Sequence, residues 1–361
     1  MSKRRYTLIT GGAGFIGSNL ANSFLADGEP VVVADNFSRD GVRNNVDWLR
    51  EKHGDLLTVR SVDVSDADAI GPLVLGAGRV FHLAAQVAVT TSLQDPALDL
   101  QSNLVGTFNV LEAARRATVP PAMLFTSTNK VYGALEGIRV HKSGDSYRYA
   151  DGRPGISEEA PLDFHSPYGC SKGAADQYVR DYARIYGLPT TVFRMSCIFG
   201  TRQFGTEDQG WVAHFARSLL GSAPITIFGD GCQVRDILWI GDLVRAMRRA
   251  VDRIDDTRGQ IFNMGGGEDN AVTVRQVIDR LMAITGREVP VTLAPWRPGD
   301  QRIYISDASK AQRALDWKPR IHWTDGLEKL VGWLRSADLS TPVLPLRTPR
   351  RAAAPLARAV L

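Results

Sequence analysis

The stretch Thr10-Gly11-Gly12-Ala13-Gly14-Phe15-Ile16-Gly17 lies between a short β-branched run at residues 6–10 and a helical pattern that continues to residue 26. Its glycines at positions 11, 14 and 17 keep such a turn tight and let backbone amides approach a pyrophosphate at the helix N-terminus. The second strand-like run ends on Asp35. Because this carboxylate suits a ribose 2′-hydroxyl and would repel a 2′-phosphate, the pattern predicts a dinucleotide site that favours NAD over NADP. Arg39, four residues further on, keeps NADP as the alternative.

The alternation of strands and helices continues through the first two hundred residues. Strands are predicted near residues 6–10, 31–35, 56–62, 79–83, 123–127 and 190–194, and helices near residues 44–53, 66–75, 96–117 and 167–187. Strict alternation of this kind predicts an α/β fold of the Rossmann type, a doubly wound parallel sheet with helices on both faces. The chemistry is then expected where the strands end.

After residue 200 the pattern loosens and predicts a smaller C-terminal α/β lobe. Helices are predicted near residues 210–221, 241–253, 272–285 and 324–336, and a strand near residues 260–263 is expected to return to the main sheet. We therefore expect an NAD-binding domain over residues 1–200, a mainly substrate-binding lobe over 201–338 and a disordered basic tail over 339–361. The connection at residues 135–162 has no clear periodicity, and we expect it to be functional or mobile.

The composition argues against several classes of protein. The chain has 361 residues, of which 44% are hydrophobic, and the four arginines of residues 339–361 account for its whole formal net charge of +4. A neutral body is not typical of a nucleic-acid-binding protein. No uninterrupted apolar run approaches about 18 residues, so we expect no membrane partner. The three cysteines match no zinc or disulfide spacing, so we expect no metal site and a reducing, cytoplasmic location.

Tyr168 and Lys172 form a Tyr-x-x-x-Lys pair at the start of a predicted helix, where a spacing of four residues puts both side chains on one face. The ammonium is expected to lower the phenol pKa, so that a phenolate can take the proton of a carbinol while hydride leaves for NAD. By itself this spacing would also suit an ordinary surface pair. The hydroxyl side chains of Thr126-Ser127-Thr128, at the end of the fifth strand, favour the catalytic interpretation because one of them can share the substrate oxygen.

These motifs resemble the extended short-chain dehydrogenase/reductase family of nucleotide-sugar epimerases and dehydratases, over roughly residues 6–334. The resemblance implies that Thr128, Tyr168 and Lys172 are catalytic, with Ser127 as a competitor for the hydroxyl role. It also implies that NAD lies over the glycine turn and along the segment after the fourth strand. The residues expected to bind NAD are Gly11, Gly14, Phe15, Ile16, Gly17, Asp35, Asn36, Ser38, Arg39, Asp63, Val64, Leu83, Ala84, Ala85, Gln86, Asn103, Thr126, Tyr168 and Lys172.

The two residues that follow the catalytic hydroxyl distinguish the reactions of this family. The dehydratases carry Asp-Glu there, to protonate the leaving hydroxide and remove the neighbouring proton, whereas this chain has Asn129 and Lys130. The resemblance therefore disfavours dehydration and favours an epimerase, which oxidises a carbinol, lets the keto sugar turn and returns the hydride to the other face. The 4-epimerases hold the sugar diphosphate with an Asn where this chain has Cys197, which counts against a galactose 4-epimerase.

Longer runs, at residues 86–92, 127–133, 162–178, 200–204 and 208–212, resemble the CDP-paratose 2-epimerase (CDP-tyvelose 2-epimerase) subgroup. They imply inversion at C2 of a CDP-linked deoxyhexose, and the choice of C2 rests on this resemblance alone. A 4-epimerase or a reductase of the same family stays open as the alternative enzyme. An NAD-sensing scaffold protein is the alternative from outside the enzymes, because some proteins keep a fold and lose its chemistry.

Arg235 and Arg302 are candidates for the diphosphate of the substrate, because guanidinium groups bind phosphate oxygens in a bidentate fork. Either could instead form a structural ion pair, Arg235 with Asp236 or Arg302 with Asp300. The resemblance also implies a homodimer packed through the helices at residues 96–117 and 167–187. The residues expected to contact the nucleotide sugar, a CDP-sugar by preference, are Gln86, Asn129, Lys130, His165, Arg202, Gln203, Arg235 and Arg302.

Overall fold

A computed structural model describes residues 6–297 and 300–337, and the tail expected over residues 339–361 lies outside them. The strands are β1 (Tyr6–Thr10), β2 (Val31–Asp35), β3 (Leu57–Ser61), β4 (Ala77–His82), β5 (Ala122–Thr128), β6 (Val140–Ser143), β7 (Ser146–Tyr149), β8 (Thr190–Met195), β9 (Cys197–Phe199), β10 (Ile225–Phe228), β11 (Val234–Trp239), β12 (Ile261–Met264), β13 (Ala271–Thr273), β14 (Val291–Ala294) and β15 (Ile303–Tyr304). The helices are α1 (Phe15–Ala26), α2 (Val42–His53), α3 (Ala67–Gly76), α4 (Val89–Gln94), α5 (Pro96–Leu100), α6 (Gly106–Arg116), α7 (Ser166–Tyr186), α8 (Trp211–Leu220), α9 (Ile240–Asp252), α10 (Ile254–Thr257), α11 (Val274–Thr285), α12 (Ser309–Leu315) and α13 (Trp323–Ser336).

Seven parallel strands form the large sheet, in the order β12-β8-β5-β4-β1-β2-β3. The chain runs outward from β1 to β3, crosses to β4 on the other side of β1, and then runs outward again. The residues at the centre of the sheet are apolar on both faces, and Leu8, Ile9, Val33 and Phe81 are fully buried. A parallel sheet covered by helices requires such strands. The predicted fold class is therefore confirmed.

Polar caps and glycines fix the ends of the helices. The Asp66 side chain accepts hydrogen bonds from two backbone amides at the start of α3, and Thr273 with Gln276 forms a capping box at the start of α11. Helix α7 ends at Gly187, which has a left-handed φ of 67°. None of the helices within residues 6–297 and 300–337 combines the length and the apolar character that crossing a lipid bilayer requires.

The helix predicted at residues 96–117 consists of two α-helices. Helices α5 and α6 are joined by a π-helical turn, Gln101–Val105. This π-helical segment contacts α7, and its Asn103 is fully buried. Single π turns inside α-helices are frequent at functional sites, and this one lies beneath the candidate site described below.

After β8 the chain contributes to two hydrophobic cores. Helix α8, strands β10 and β11 and helices α11 and α13 enclose the core of the C-terminal lobe. In contrast, α9, β12 and α12 pack on the core of the large sheet, through apolar residues such as Leu243, Phe262 and Leu315. Strand β12 pairs in parallel with β8 at the edge of that sheet. The lobes are therefore interleaved along the sequence.

The connection at residues 135–162, for which the sequence predicted no regular element, contains an antiparallel hairpin of β6 and β7. Tyr147 and Tyr149 of β7 and the following Ile156 are buried, and they pack in one cluster with Tyr132 and Tyr304. The sequence did not predict this hairpin, because all four residues of β6 are exposed and only Val140 among them is apolar. This segment is thus part of the packing between the large sheet and the C-terminal lobe.

Candidate active site

A cleft of about 610 Å³ opens at the carboxyl edge of the large sheet, between that sheet and the C-terminal lobe. Parallel α/β sheets bind ligands at this edge. Of the residues that the sequence assigned to NAD, all except Asn103 line the cleft. They are Gly11, Gly14, Phe15, Ile16, Gly17, Asp35, Asn36, Ser38, Arg39, Asp63, Val64, Leu83, Ala84, Ala85, Gln86, Thr126, Tyr168 and Lys172.

The glycine turn forms a cradle that side chains would fill. Gly11 has a left-handed φ of 65°, and a Cβ atom there would lie 2.7 Å from the backbone nitrogen of Ala84. A Cβ atom on Gly17 would collide with the carbonyl oxygen of Gly11. Gly14 precedes α1 without a side-chain cap, and the first amides of a helix have no partner within it. The cradle therefore suits the pyrophosphate of a dinucleotide.

Two backbone amides hold the Asp35 carboxylate at one end of the cleft. Ala13 donates to it at 3.1 Å and Phe37 at 2.9 Å. Burial raises the Asp35 pKa, and these two hydrogen bonds and the Arg39 guanidinium act in the opposite direction. Beside it, Asn36 donates to the Asp63 carboxylate at 2.9 Å. The carboxylates of Asp35 and Asp63, at or just after the ends of β2 and β3, thus present oriented oxygens that can accept hydrogen bonds from ribose hydroxyls.

Thr128, Tyr168 and Lys172 come together at the other end of the cleft, on β5 and the first turns of α7. The three residues are 7%, 8% and 3% exposed, so their polar atoms are largely shielded from bulk water. The Thr128 hydroxyl acts on Tyr168 and lowers its pKa. Lys172 donates from Nζ to the carbonyl oxygen of Thr126 at 2.5 Å, and its ammonium lies 4.1 Å from the centroid of the Phe125 ring.

In the protein without NAD, burial has the largest effect on the pKa values of Lys172 and Tyr168. It lowers the pKa of Lys172 to about 7, against the opposing effect of Asp176 and Asp99. It also raises the pKa of Tyr168, which Asp99 raises further and which Thr128 and Arg39 lower. The sequence led us to expect a lowered phenol pKa. The opposite direction is found because the loss of hydration outweighs the nearby positive charge.

Asn103 is placed next to the cleft wall and does not line it. Its side-chain oxygen accepts from the backbone amide of Gln86 at 2.8 Å, and its Nδ2 donates to Ser171 Oγ at 3.0 Å. The Gln86 side chain is also engaged, since its Nε2 donates to the Ala88 carbonyl at 2.8 Å and to Asp99 at 2.9 Å. Asn103 therefore fixes the segment after β4 and the helix α7 relative to each other.

The predicted substrate residues Lys130 and Arg235 meet at Asp300. Arg235 pairs with that carboxylate at 2.6 Å, and the Lys130 ammonium lies 3.8 Å from it. Burial lowers the pKa of Lys130, and Arg235 lowers it too, while Asp300 acts in the opposite direction. The pair that the sequence suggested between Arg235 and Asp236 does not form, since Asp236 accepts instead from Ser196 at 2.5 Å.

Arg302, Arg202 and His165 have other contacts. Arg302 donates to the Tyr147 hydroxyl at 2.9 Å and stacks 4.5 Å from the Trp296 ring, so the suggested pair with Asp300 is not formed. Arg202 lies 3.9 Å from the Trp48 ring, and His165 lies 3.0 Å from the Asp163 carboxylate. The structure does not bring these three side chains to the cleft lining.

The remaining two substrate candidates lie close to the triad or to the cleft. Asn129 is 8% exposed and follows Thr128 directly, with its Oδ1 at 3.4 Å from the threonine hydroxyl. Gln203 lines the cleft and donates to the Ile198 carbonyl at 3.2 Å. Ser127, the competitor for the hydroxyl role, also lines the cleft. Several other cleft residues were not among the predicted site residues, namely Thr91, Met195, Ser196, Cys197 and Trp211. The rule that ligands bind where parallel strands end could have found Met195, the last residue of β8, and Ser196, which follows it.

Comparison with known proteins agrees with this arrangement. Over residues 8–330 the sequence matches the family described as GDP-mannose 4,6 dehydratase. It is 41% identical to the CDP-paratose 2-epimerase of Salmonella typhi, over 91% of this chain and 99% of that protein. It is 33% identical to the UDP-glucose 4-epimerase of Mycolicibacterium smegmatis, over 91% of this chain and 98% of that protein.

A solved structure has the same fold along nearly the whole length. The UDP-glucose 4-epimerase of Thermus thermophilus, in complex with NAD, is 31% identical and superposes with a TM-score of 0.77. The superposition covers 92% of this chain and 99% of that one. The matched segments include both the large sheet and the C-terminal lobe. The chain therefore belongs to this family of nucleotide-sugar epimerases and dehydratases, and the family resemblance inferred from its motifs is confirmed.

Proposed function

We propose that the protein is an NAD-dependent nucleotide-sugar epimerase that inverts C2 of a CDP-linked deoxyhexose. The observation that carries the epimerase assignment is the distribution of carboxylates. Among the described residues that line the cleft, the acidic ones are Asp35 and Asp63. They lie at or just after the ends of β2 and β3, which are three and four strands away from β5 in the sheet. Dehydration needs an acid and a base next to the reacting carbons. Asn129 and Lys130, at the positions beside the triad, supply an amide and an ammonium.

The residues of the cleft fit NAD. The cradle at Gly11 and Gly17 has no room for a side chain, and Asp35 is oriented by two amides to accept from a ribose. When bound, NAD would accept a hydride from the sugar carbon and return it to the opposite face, so that the cycle has no net oxidation. Asp35 would disfavour the 2′-phosphate of NADP by charge repulsion.

Tyr168 would act as the base and then as the acid of the reaction. Its Oη takes the proton of the carbinol and gives it back to the oxygen of the keto sugar. Thr128 donates a hydrogen bond to the same substrate oxygen and holds it beside Tyr168. Lys172, fixed to Thr126 and to the Phe125 ring, supplies a positive charge that stabilises the phenolate.

The choice of C2 and of a CDP-sugar is supported by sequence likeness. The Salmonella typhi relative that carries the name CDP-paratose 2-epimerase is 41% identical. The long motif runs around Thr128 and Tyr168 point to the same subgroup. Arg235 and Lys130 lie outside the cleft lining and meet at Asp300, where two positive charges face one carboxylate. The excess positive charge suits a diphosphate.

A panel of CDP-, UDP-, GDP- and dTDP-sugars, incubated in deuterated water and followed by NMR, tests this proposal. We expect a CDP-sugar inverted at C2 with no deuterium on the inverted carbon, without added cofactor, from protein that purifies with NAD. Inversion at C4 would replace the 2-epimerase by a 4-epimerase. A 6-deoxy-4-keto product, or stoichiometric consumption of NADH, would reject epimerisation. If the protein binds NAD but converts none of the sugars, the result favours the alternative of an NAD-sensing scaffold protein.

We also propose that the protein is a homodimer packed through α5, α6 and α7. Exposed apolar residues cluster on these helices, and among them are Leu98, Phe108, Tyr178 and Ile185. The Ile185 side chain is 66% exposed, and exposed apolar patches mark protein interfaces. Light scattering should find a dimer for wild type and a monomer for Ile185→Glu. The control Leu293→Glu, at a leucine of β14 that is 59% exposed, should remain dimeric. A wild-type monomer would contradict the proposal.

A reducing, cytoplasmic location is the remaining part of the proposal. Cys170, Cys197 and Cys232 are free thiols, of which Cys170 is exposed and Cys232 buried. An exposed thiol is typical of reducing compartments. Cell fractionation tests this, and recovery of the protein with the secreted fraction would contradict it.

A further inference from the structure

Asp99 is a fully buried carboxylate next to the start of α7. Its oxygens accept hydrogen bonds from Gln86 Nε2 at 2.9 Å, from Asn103 Nδ2 at 3.1 Å and from the Ser171 hydroxyl. All three donors are neutral. Within residues 6–297 and 300–337, no lysine or arginine forms an ion pair with Asp99. A buried charge without a contact ion pair is costly, and it persists only where other interactions compensate for it.

The three donors connect Asp99 to the candidate active site. Ser171 lies between Tyr168 and Lys172 on α7, and its hydroxyl also approaches the Tyr168 carbonyl at 3.2 Å. Gln86 lines the cleft. Asn103 donates to both Asp99 and Ser171. Asp99 thus fixes the helical turn from which the catalytic phenol and amine project.

Of the two carboxylates that act on Lys172, Asp99 and Asp176, only Asp99 has no positively charged partner of its own among the described residues. The Lys172 ammonium has a carbonyl and a ring as its contacts, and two carboxylates, Asp176 and Asp99, stabilise its charged form through space. Asp176 is held by Arg194 in a bidentate pair at 2.8 and 2.9 Å, so its charge is largely compensated. Asp99 has only neutral partners and therefore exerts most of its field on its surroundings.

The other groups that face the pair are few. Arg39, from the segment after β2, lowers the pKa of Tyr168, as does the Thr128 hydroxyl at the end of β5. His82 on β4 has its pKa lowered to about 3 by burial and by Lys172, so it stays neutral at the pH of the reaction. Asp99, on α5, is the carboxylate that acts on both members of the pair.

We propose that Asp99 is a positioning residue for the reaction, which holds the catalytic turn of α7 through Ser171 and supplies the buried negative charge that balances the Lys172 ammonium. The proposal rests on the roles proposed above for Tyr168 and Lys172. It assigns a function to a side chain that touches neither the cleft nor a ligand. Removal of the charge should therefore change the titration of the pair even where the shape of the cluster is kept.

The test is a titration of Tyr168 by the ultraviolet absorbance of tyrosinate. The chain has nine tyrosines, so the absorbance of Tyr168 is obtained as the difference between wild type and Tyr168→Phe. The same difference is then measured between Asp99→Asn and the double variant Asp99→Asn/Tyr168→Phe. Loss of the negative charge should lower the Tyr168 midpoint by about one pH unit, the lower end of what a neighbouring charge produces. Ser171→Ala keeps the charge and removes a hydrogen bond, so its midpoint should stay at the wild-type value.

The kinetic counterpart is the pH dependence of kcat. Because Asp99 raises the pKa of both Tyr168 and Lys172, both limbs of the profile should move to lower pH in Asp99→Asn, whereas a merely structural role would lower kcat at every pH. An unmoved midpoint in Asp99→Asn, or an equal shift in Ser171→Ala, would overturn the proposal. Asp99→Ser replaces the amide variant if that does not fold. The absorbance titration needs no nucleotide sugar, so its failure is distinct from failure of the proposed function.

Discussion

Lys172 donates a hydrogen bond of 2.5 Å from Nζ to the carbonyl oxygen of Thr126, and this contact joins α7 to the end of β5. Lys172 is 3% exposed, so the surrounding residues shield its ammonium from bulk water. One carbonyl and one aromatic face replace the water that it has lost. The protonation of this amine consequently changes with pH in the neutral range.

Stability of the cofactor-free protein should rise with pH between about 7 and 9 because of Lys172. Its pKa is about 7 in the folded protein and near 10.4 in the unfolded chain. Between these values the unfolded state binds more protons, so a rise in pH favours the folded state by at most about 1.4 kcal/mol per pH unit. Urea unfolding should show this slope relative to Lys172→Met. Lys329→Met, which removes an exposed ammonium, is the control for loss of a lysine charge at the surface. A constant difference for Lys172→Met would contradict the prediction.

Replacement of Tyr168 by Phe should lower kcat by about 10²- to 10⁴-fold, the contribution expected of a general acid–base group. The phenyl ring fills the same buried position, so NAD should still be retained, as measured by release from the denatured protein. Tyr186→Phe, at an exposed position at the end of the same helix, is the matched control and should keep its activity. Undiminished kcat in Tyr168→Phe would reject the role of the phenol.

Asp35→Ala should weaken NAD binding by about tenfold or more. A hydrogen bond to a charged group contributes about 1.5–3 kcal/mol, and 1.4 kcal/mol corresponds to a factor of ten. The preference for NAD over NADP should narrow at the same time, because the repulsive charge is gone. Calorimetric titration with both dinucleotides measures the two effects. Asp40→Ala removes an exposed carboxylate from the same segment and should leave both affinities unchanged; equal losses in the two variants would count against Asp35 as the selecting residue.

Arg235→Lys should raise the KM for the nucleotide sugar by about tenfold with little change in NAD binding. Lysine keeps the charge beside Asp300 but cannot form the bidentate fork with phosphate oxygens. The matching change Arg302→Lys should have a smaller effect, because that guanidinium is engaged by Tyr147 and Trp296. Steady-state kinetics on both variants decide this. A larger effect at Arg302 would show that its contacts are exchanged when the substrate binds.

Much of the fold follows from local sequence signals. The glycine turn, the acidic residue at the end of β2 and the spacing of Tyr168 and Lys172 are each set by neighbours within a few residues, and the parallel sheet follows from the alternation of elements. The hairpin of β6 and β7 could not be predicted in this way. Its stability comes from contacts of Tyr147 and Tyr149 with Tyr304, more than 150 positions away.

The partners of the charged residues were the harder part of the site to predict. Arg235 contacts a carboxylate 65 positions away instead of its neighbour Asp236, and Arg302 contacts a tyrosine 155 positions away. Adjacent residues of a strand point to opposite faces of a sheet, so neighbours in sequence rarely pair there. Likewise, the raised pKa of Tyr168 depends on its burial, which the spacing of two residues does not reveal.

Strand β12 completes the outer edge of the large sheet although it comes from the second half of the chain. A fragment cut near position 200 would leave the backbone of β8 bare along one side and strip α9 and α12 from the sheet. The N-terminal fragment could then not retain a closed apolar interior, because part of the core of the large sheet comes from the C-terminal half. Calorimetric melting should accordingly occur as one cooperative event. Exchange of the C-terminal half with that of a relative should succeed only if α9, β12 and α12 are left with the N-terminal half.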